Sequence, residues 1–380
     1  MKITEIGKLI KQPEGFKAFI PNPFPPKKGF DFNAKLIKLN EKASMAVARL
    51  DGVTKRLPDS NFFLLMYLRK DATASSQIEG TQATMIDAIE AEVQVNTNIP
   101  QDVDDIIHYI KALNYGMKRV TQDQFPVSLR LIKELHNILM KKARTTHFAD
   151  PGEFRKTQNW IGGTRPDNAK FVPPPIKDMK KSLDDLEKFI HEKEFPYTLI
   201  KAALIHAQFE TIHPFLDGNG RTGRMLITFY LWQVKILETP VLFLSHYFKK
   251  HQELYYEKLS CYHHGKVWEW IEFFLEGVIE IANEAIEIAD KVTALRDRDM
   301  LKIQQFSKKA SESALKVFPK LFEQPIVNVA IIRDWTGFSS RSAASTVIMR
   351  FVDVGILVPK QEDKKYGQSY IYKDYTDIFS

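Results

Sequence analysis

The chain has 380 residues, of which 44% are hydrophobic and 27% charged, with a formal net charge of +7. This balance fits a folded globular protein of two or three domains and excludes a disordered or fibrous chain. A single cysteine, Cys261, excludes an intramolecular disulfide framework; with no signal-peptide pattern at Met1-Lys2-Ile3-Thr4 and no transmembrane-length apolar run, a cytoplasmic location without membrane contact is expected.

Residues 1–33 read as an extended arm. Pro13, Pro21, Pro23, Pro25 and Pro26 break any helix there, and Phe16, Phe19, Phe24, Phe30 and Phe32 call for a body to pack against. Helical patterns follow at 33–52, 59–70, 84–96 and 102–119, the last with Asp102, Asp104 and Asp105 at its dipole-positive start. Ser75-Ser76-Gln77-Ile78-Glu79-Gly80 reads as a helix segment that ends or kinks at Gly80, with Ser75 and Glu79 one turn apart. Residues 127–142 are strongly helical; His136 there reads as structural, and His147 is assigned no role. Residues 151–175 are irregular. Within them, Trp160-Ile161 and Phe171-Val172 are short β-prone runs, either a hairpin with a long loop or a plain surface loop. Two helices follow at 176–194 and 198–211, with His206 in the second read as a core residue.

Residues 213–224, His-Pro-Phe-Leu-Asp-Gly-Asn-Gly-Arg-Thr-Gly-Arg, concentrate chemistry in twelve positions. Pro214 pushes His213 out of right-handed helical geometry toward an extended or turn conformation, so the preceding helix stops there. Gly218-Asn219-Gly220 permits close backbone approach and leads into a new helix, whose N-terminus aims unpaired N–H groups at an anion. Arg221 and Arg224, three apart, share a face that suits phosphate oxygens. Asp217 suits a hard cation such as Mg²⁺, and His213 suits a proton acceptor. The spacing is not that of a P-loop. A Gly-rich turn between two core helices is the plainer alternative.

Helical patterns resume at 247–262 and 268–297. Residues 301–380 form a further unit, with twelve Lys and Arg against eight Asp and Glu. Its pattern is helices at 303–318, 329–335 and 339–354, then β-prone runs at 356–358 and 370–372 around a Lys-Tyr-Gly tip. That order is a winged helix-turn-helix. Few basic residues lie on the presumptive recognition helix, which favours protein contact or a relict fold slightly over DNA binding.

Residues 213–224 resemble, position for position, the His-Pro-Phe-x-Asp/Glu-Gly-Asn-Gly-Arg-x-x-Arg motif of the Fic family of protein adenylyltransferases, and residues 75–80 resemble the inhibitory motif upstream of the Fic core in many relatives. The resemblance implies a mainly α fold: a Fic-type helical core with a short β-hairpin flap, followed here by the winged helix-turn-helix. It implies transfer of AMP from ATP, with Mg²⁺, to a Ser, Thr or Tyr hydroxyl of a target protein, releasing pyrophosphate. By that resemblance His213 is the base, Asp217 the Mg²⁺ ligand, and Gly218, Asn219 and Gly220 the anion hole. Arg221 and Arg224 are the phosphate clamps, with Thr222 and Gly223 between them in the nucleotide-binding stretch. Ile161, Gly162, Gly163 and Thr164 lie near the nucleotide on a flap that pairs with the target segment. Tyr255 heads a Tyr-Tyr pair whose first ring lines the nucleotide pocket, although its helical spacing equally suits the core. Ser75, Glu79 and Gly80 form the inhibitory motif, with Glu79 in a bidentate pair on Arg224 and, as in some relatives, a second role in removing AMP from the target. His263 stands where some relatives place an adenine-contacting Asn, which leaves the donor open with ATP first.

The expected domains are an N-terminal helical region at 1–115, the Fic core at 116–298 and the winged-helix domain at 299–380. Expected partners are a target protein, the chain itself through self-modification, a second copy as a homodimer, and DNA through the C-terminal unit. Alternative readings are a winged-helix DNA-binding regulator with a nucleotide-sensing core, and a Fic enzyme that removes AMP or transfers another nucleotide.

Overall fold

The computed structural model describes residues 6–27, 29–57, 60–93, 99–141, 150–361 and 367–379. His147 and most of the Lys-Tyr-Gly tip fall outside them. The described residues are mostly helical. Two helices, α7 (Thr198–Ile212) and α8 (Asn219–Gln233), form the centre. Leu199 to Ile212 are all buried, so α7 has no polar face and must be a core helix.

Around this pair stand α1 (Ala34–Thr54), α2 (Ser60–Ile78), α3 (Met85–Val93), α4 (Val103–Met117) with a π-helical turn (Lys118–Gln122), α5 (Leu129–Met140) and α6 (Ile176–His191). Caps written in the sequence set several starts. The Asn33 side chain accepts from Leu36 N–H at 2.8 Å, and Ser128 accepts from Leu131 N–H at 3.3 Å. The helix expected at 59–70 runs on to Ile78. It ends where Gly80 takes a left-handed φ of 93°.

The N-terminal arm is a hairpin, β1 (Gly7–Lys11) antiparallel to β2 (Lys17–Pro21), where only an extended arm was expected. Its aromatics anchor it: Phe24 meets Phe189 of α6 edge-on at 4.8 Å. Phe19 N–H donates to the Val172 carbonyl at 2.9 Å, which fastens the arm to the irregular segment before α6.

The single helix expected at 247–262 is two, α9 (Ser245–Lys250) and α10 (Gln252–His263), divided at His251. Tyr247 packs against Gly277 and Phe273, whereas Tyr255 and Tyr262 bond to side chains of α7, and one straight axis cannot serve both. Next, α11 (Val267–Gln304) continues past the end expected at 297, so the expected domain boundary at 298/299 falls inside it. The reason is a buried face: Leu295, Asp299 and Ile303 point inward, and Asp299 accepts from Tyr372 Oη at 2.8 Å.

The C-terminal unit is α12 (Lys308–Glu323), β3 (Ile326–Asn328), α13 (Val329–Thr336), α14 (Arg341–Asp353), β4 (Val358–Pro359), β5 (Ser369–Ile371) and α15 (Lys373–Asp377). Its strands form an antiparallel sheet in the order β3-β5-β4, with Ile326 and Val358 both opposite Ile371. The helix expected at 303–318 starts later, because α11 uses those first residues. This unit is docked on α2. Arg69 Nη1 donates to the Glu323 carbonyl at 2.7 Å, and the Phe379 ring lies 5.7 Å from that of Tyr67.

Candidate active site

The site is the turn between α7 and α8. His213 caps α7 in the left-handed region, φ 48° and ψ 62°, the turn alternative of the extended or turn geometry expected before Pro214, and the helix stops there. A non-glycine residue there costs roughly 1 kcal/mol, so the surroundings must hold it. They do so through its carbonyl, which accepts from Arg155 Nε at 3.0 Å and Asn159 Nδ2 at 3.3 Å. Arg155 also donates its N–H to the Pro214 carbonyl at 2.8 Å and Nη2 to the Pro174 carbonyl at 2.5 Å. One buried arginine therefore ties the turn to the segment leading into α6.

Phe215 is fully buried and stacks on His136 at 3.6 Å between ring centroids. His136 accepts the Gly152 N–H at Nδ1 (2.9 Å), which makes Nε2 the donor to the Asp217 carbonyl, also 2.9 Å. Burial lowers its pKa to about 4, so the ring is neutral and structural. The Asn219 side chain is consumed by the turn: Oδ1 accepts from Phe215 N–H and Nδ2 donates to the Phe215 carbonyl, both at 2.8 Å. The side chain of Asn219, expected in an anion hole, thus has no amide atom left for a ligand. Gly218 is left-handed, φ 77°, and a Cβ there would stand 2.7 Å from Met140 Sδ. The first N–H groups of α8 have no intrahelical acceptor and no side-chain cap.

Asp217 is half-buried, with Oδ1 accepting from Gly218 N–H at 2.6 Å. Thr222 is buried with its hydroxyl on the Gly218 carbonyl at 2.8 Å, and the Cβ direction of Gly223 faces α7. Neither side offers a side-chain contact to a ligand.

The two arginines part company. Arg221 points to α4 and α5, with Nη1 3.4 Å from Asp105 Oδ1 and Nη2 3.5 Å from Met140 Sδ. Arg224 points to α2: Nε donates to Ser75 Oγ at 2.9 Å, and Nη2 to both the Ser75 carbonyl (3.0 Å) and Glu79 Oε1 (2.7 Å). The Arg224–Glu79 contact is one bond, not the bidentate pair expected, because Ser75 takes Nε and shares Nη2. Burial works against the Arg224 charge, but Glu79 and nearby groups raise its pKa above the ordinary value. A Cβ on Gly220 would lie 2.4 Å from Glu79 Oε1, so that carboxylate sits directly over the first turn of α8. Lys249 Nζ and Gln252 Nε2 donate to the Gln77 and Ile78 carbonyls and cap the end of α2 beside it.

His213 is lowered to about 4, first by burial and then by the Arg155 charge, so it is unprotonated near neutral pH. Its Nδ1 stands 3.8 Å from Oε2 of Glu210, a residue that drew no attention in the sequence. Burial pushes Glu210 up to about 8. The signal was available: a glutamate one turn before His213 on an all-buried helix needs a reason. Arg155 and Asn159 lie in an irregular stretch with no pattern to mark them.

The flap is slight. Ile161 and Phe171 form one antiparallel bridge, with Ile161 N–H donating to the Phe171 carbonyl at 2.8 Å. Ile161, Gly162, Gly163 and Thr164 are exposed, and both glycines are left-handed. Tyr255 is 1% exposed, with its hydroxyl 3.0 Å from His206 Nε2 and its ring 4.6 Å from that of Phe248, so it lies in the core and not along an open wall. His263 stacks on Phe171 at 4.0 Å and places Nε2 3.0 Å from Thr211 Oγ1. Away from the turn, Glu257, Cys261 and Glu269 cluster on the surface, but Lys258 already bridges both carboxylates.

Residues 37–118 match the Fic/DOC family N-terminal region, and residues 126–231 match the Fic/DOC family. The chain is 26% identical over 252 residues to the protein adenylyltransferase Fic of Drosophila grimshawi, covering 64% of this chain and 47% of that protein. It is 27% identical over 205 residues to the protein of the same name from Nematostella vectensis, covering 52% and 44%. The chain thus spans less than half the length of these relatives. In fold it is similar to a Fic family protein from Desulfovibrio desulfuricans G20, with TM-score 0.58 and 17% identity over 90% of this chain and 97% of that one. It is also similar to Fic-1 of C. elegans, with TM-score 0.53 and 18% identity over 69% and 74%.

Proposed function

Because this chain belongs to the Fic/DOC family, we propose that it transfers AMP from ATP to a Ser, Thr or Tyr hydroxyl of a target protein, itself included, and that Glu79 restrains the transfer. The observation that carries the reading is the Glu79 carboxylate on Arg224, lying over Gly220 at the anion-attracting start of α8. A triphosphate bound there meets a negative charge already in place.

In the proposed reaction the target hydroxyl oxygen bonds to the α-phosphorus. The bond from that phosphorus to the α,β-bridging oxygen breaks, pyrophosphate leaves, and the hydroxyl proton passes to His213. That imidazole is suited to the task because burial keeps it neutral. The N–H groups of Asn219, Gly220 and Arg221 are disposed to bind phosphate oxygens, and Arg224, once released by Glu79, to bind the terminal one. Asp217 suits Mg²⁺, which takes one or two carboxylates plus phosphates, and its half-buried carboxylate at the loop fits that donor set. The ion supplies charge neutralisation on the phosphates.

The C-terminal unit supports a second, smaller proposal. Helices α12, α13 and α14 followed by the β4–β5 pair have the order of a winged helix, and its seat on α2 suits a regulatory partner, protein or DNA, better than an independent module. No helix among the described residues is long and apolar enough to cross a membrane.

The test is intact-mass spectrometry of wild type, Glu79→Gly and His213→Ala after incubation with ATP and Mg²⁺. The reading expects a gain of one AMP on Glu79→Gly and none on His213→Ala. No gain on any variant, in a lysate with labelled ATP as well as alone, overturns it.

A further inference from the structure

The last turns of α7 place a carboxyl group beside the base. Glu210 is 8% exposed and precedes His213, the left-handed cap of the helix, by three residues. Glu210 Oε2 lies 3.8 Å from His213 Nδ1. Two polar atoms of this pair, Glu210 Oε1 and His213 Nδ1, are buried without a hydrogen-bond partner. Buried polar atoms are seldom left so. The unpartnered Oε1 lies against Gly223, whereas the oxygen that faces the unpartnered ring nitrogen is Oε2, and an acceptor beside an N–H donor is complementary.

The second helix enforces the placement. A Cβ on Gly223 would stand 2.3 Å from Glu210 Oε1 and 3.0 Å from the Phe209 ring. Gly223 is therefore the residue that lets the carboxyl sit against α8 at all, which gives this motif glycine a use unrelated to phosphate. The charges around the pair are Arg224 and Glu79 toward Glu210, and Arg155, Glu79 and Asp217 toward His213. The competing acceptor for the ring is the Glu210 backbone carbonyl.

We propose that Glu210 is the positioning residue of His213: its carboxyl accepts the Nδ1–H hydrogen bond, which leaves Nε2 as the bare nitrogen that receives the proton. The role of Nε2 rests on the nucleotide-transfer reading; the contact itself does not. An approach of about 1 Å brings the pair into hydrogen-bond range, and such contacts tighten when a substrate closes the site. Neutral and ionised carboxyl groups both present an acceptor oxygen, so the assignment holds in either state. When the hydroxyl proton reaches Nε2, the ring becomes imidazolium and keeps its Nδ1–H on Glu210. Without that acceptor the ring is free to carry its single proton on Nε2, where it cannot act as a base.

The test is the ring ¹⁵N spectrum of His213 in the full chain labelled with ¹⁵N-histidine, assigned by its loss in His213→Ala. Wild type is expected as the Nδ1–H tautomer. Glu210→Leu and Glu210→Met, which lack an acceptor, are expected to move the population toward Nε2–H. Glu210→Gln, whose amide oxygen still accepts, is expected to retain Nδ1–H. In a Glu79→Gly background, Glu210→Leu is expected to lower kcat for AMP transfer about tenfold with KM for ATP little changed. An unchanged Nδ1–H tautomer in whichever of the Leu and Met variants folds overturns the proposal and assigns the role to the backbone carbonyl. A tautomer shift with no AMP transfer from any variant upholds the contact and overturns only the nucleotide-transfer reading.

Discussion

Arg224 Nη2 lies 2.7 Å from Glu79 Oε1 and 3.0 Å from the Ser75 carbonyl, so one guanidinium nitrogen serves both ends of a single helical turn. The two partners are unequal. The Arg224 side chain is 1% exposed and that of Glu79 39% exposed. The arginine is fixed by Ser75 and the core; the glutamate is the member that can leave.

Glu79→Gly is therefore expected to raise AMP transfer while leaving the fold intact. Losing one charge-assisted hydrogen bond, weakened by solvent, corresponds to about 1.4 kcal/mol or a gain of about tenfold. Initial rates with labelled ATP measure it. A variant no faster than wild type refutes the restraint.

Glu210 carries a stability signature of its own. Burial raises it from 4.5 to about 8, so between those values the folded protein keeps a proton that the unfolded chain releases. Its contribution is complete below pH 4.5 and is lost as pH rises through about 8. Glu210→Gln, which has no proton to lose, is expected to gain on wild type from pH 5 to pH 8, by on the order of 3 kcal/mol. Urea unfolding at both pH values reads the gap. A gap that does not change with pH contradicts the buried neutral carboxyl.

His136→Ala removes two hydrogen bonds and the ring stacked on Phe215. The expected cost is about 3 kcal/mol, from the cavity and the two stranded backbone groups. Thermal or urea unfolding measures it. A loss under about 1 kcal/mol would mean that the turn holds its shape without the ring.

Arg69 is 3% exposed and joins Glu92 of α3 to the Glu323 carbonyl at the end of α12. Arg69→Met is expected to destabilise the chain by about 3 kcal/mol, since it strands a carboxylate and a helix end. It is also expected to speed amide hydrogen exchange along α2, including Ser75 to Ile78. Unchanged exchange at that end of the helix would separate the C-terminal unit from the site.

The sequence made the local features of this protein legible and hid those that depend on distant partners. The turn from His213 to Arg224 and the stop at Gly80 are written in proline and glycine, whose backbone limits act wherever they stand. The caps at Asn33 and Ser128 are local in the same sense. The hairpin at the N-terminus was not visible, because its pairing is stabilised by Phe19 and Phe24 against residues over 150 positions away, Phe171 and Phe189. The division at His251 was hidden for the same reason: no breaker marks it, and it arises from two different packing surfaces. Arg221 and Tyr255 show the limit of spacing arguments. Both are where periodicity puts them, but Asp105 and His206 decide where their side chains point.

Asn219 is followed by Gly220, the pairing most prone to spontaneous deamidation, in which the next backbone nitrogen attacks the side-chain amide. Here both atoms of that amide are held by the Phe215 backbone, and the residue begins a helix whose geometry keeps the nitrogen away. The one Asn-Gly pair of the sequence is thus shielded by the fold, and the working life of the turn is set by how seldom the protein opens around it.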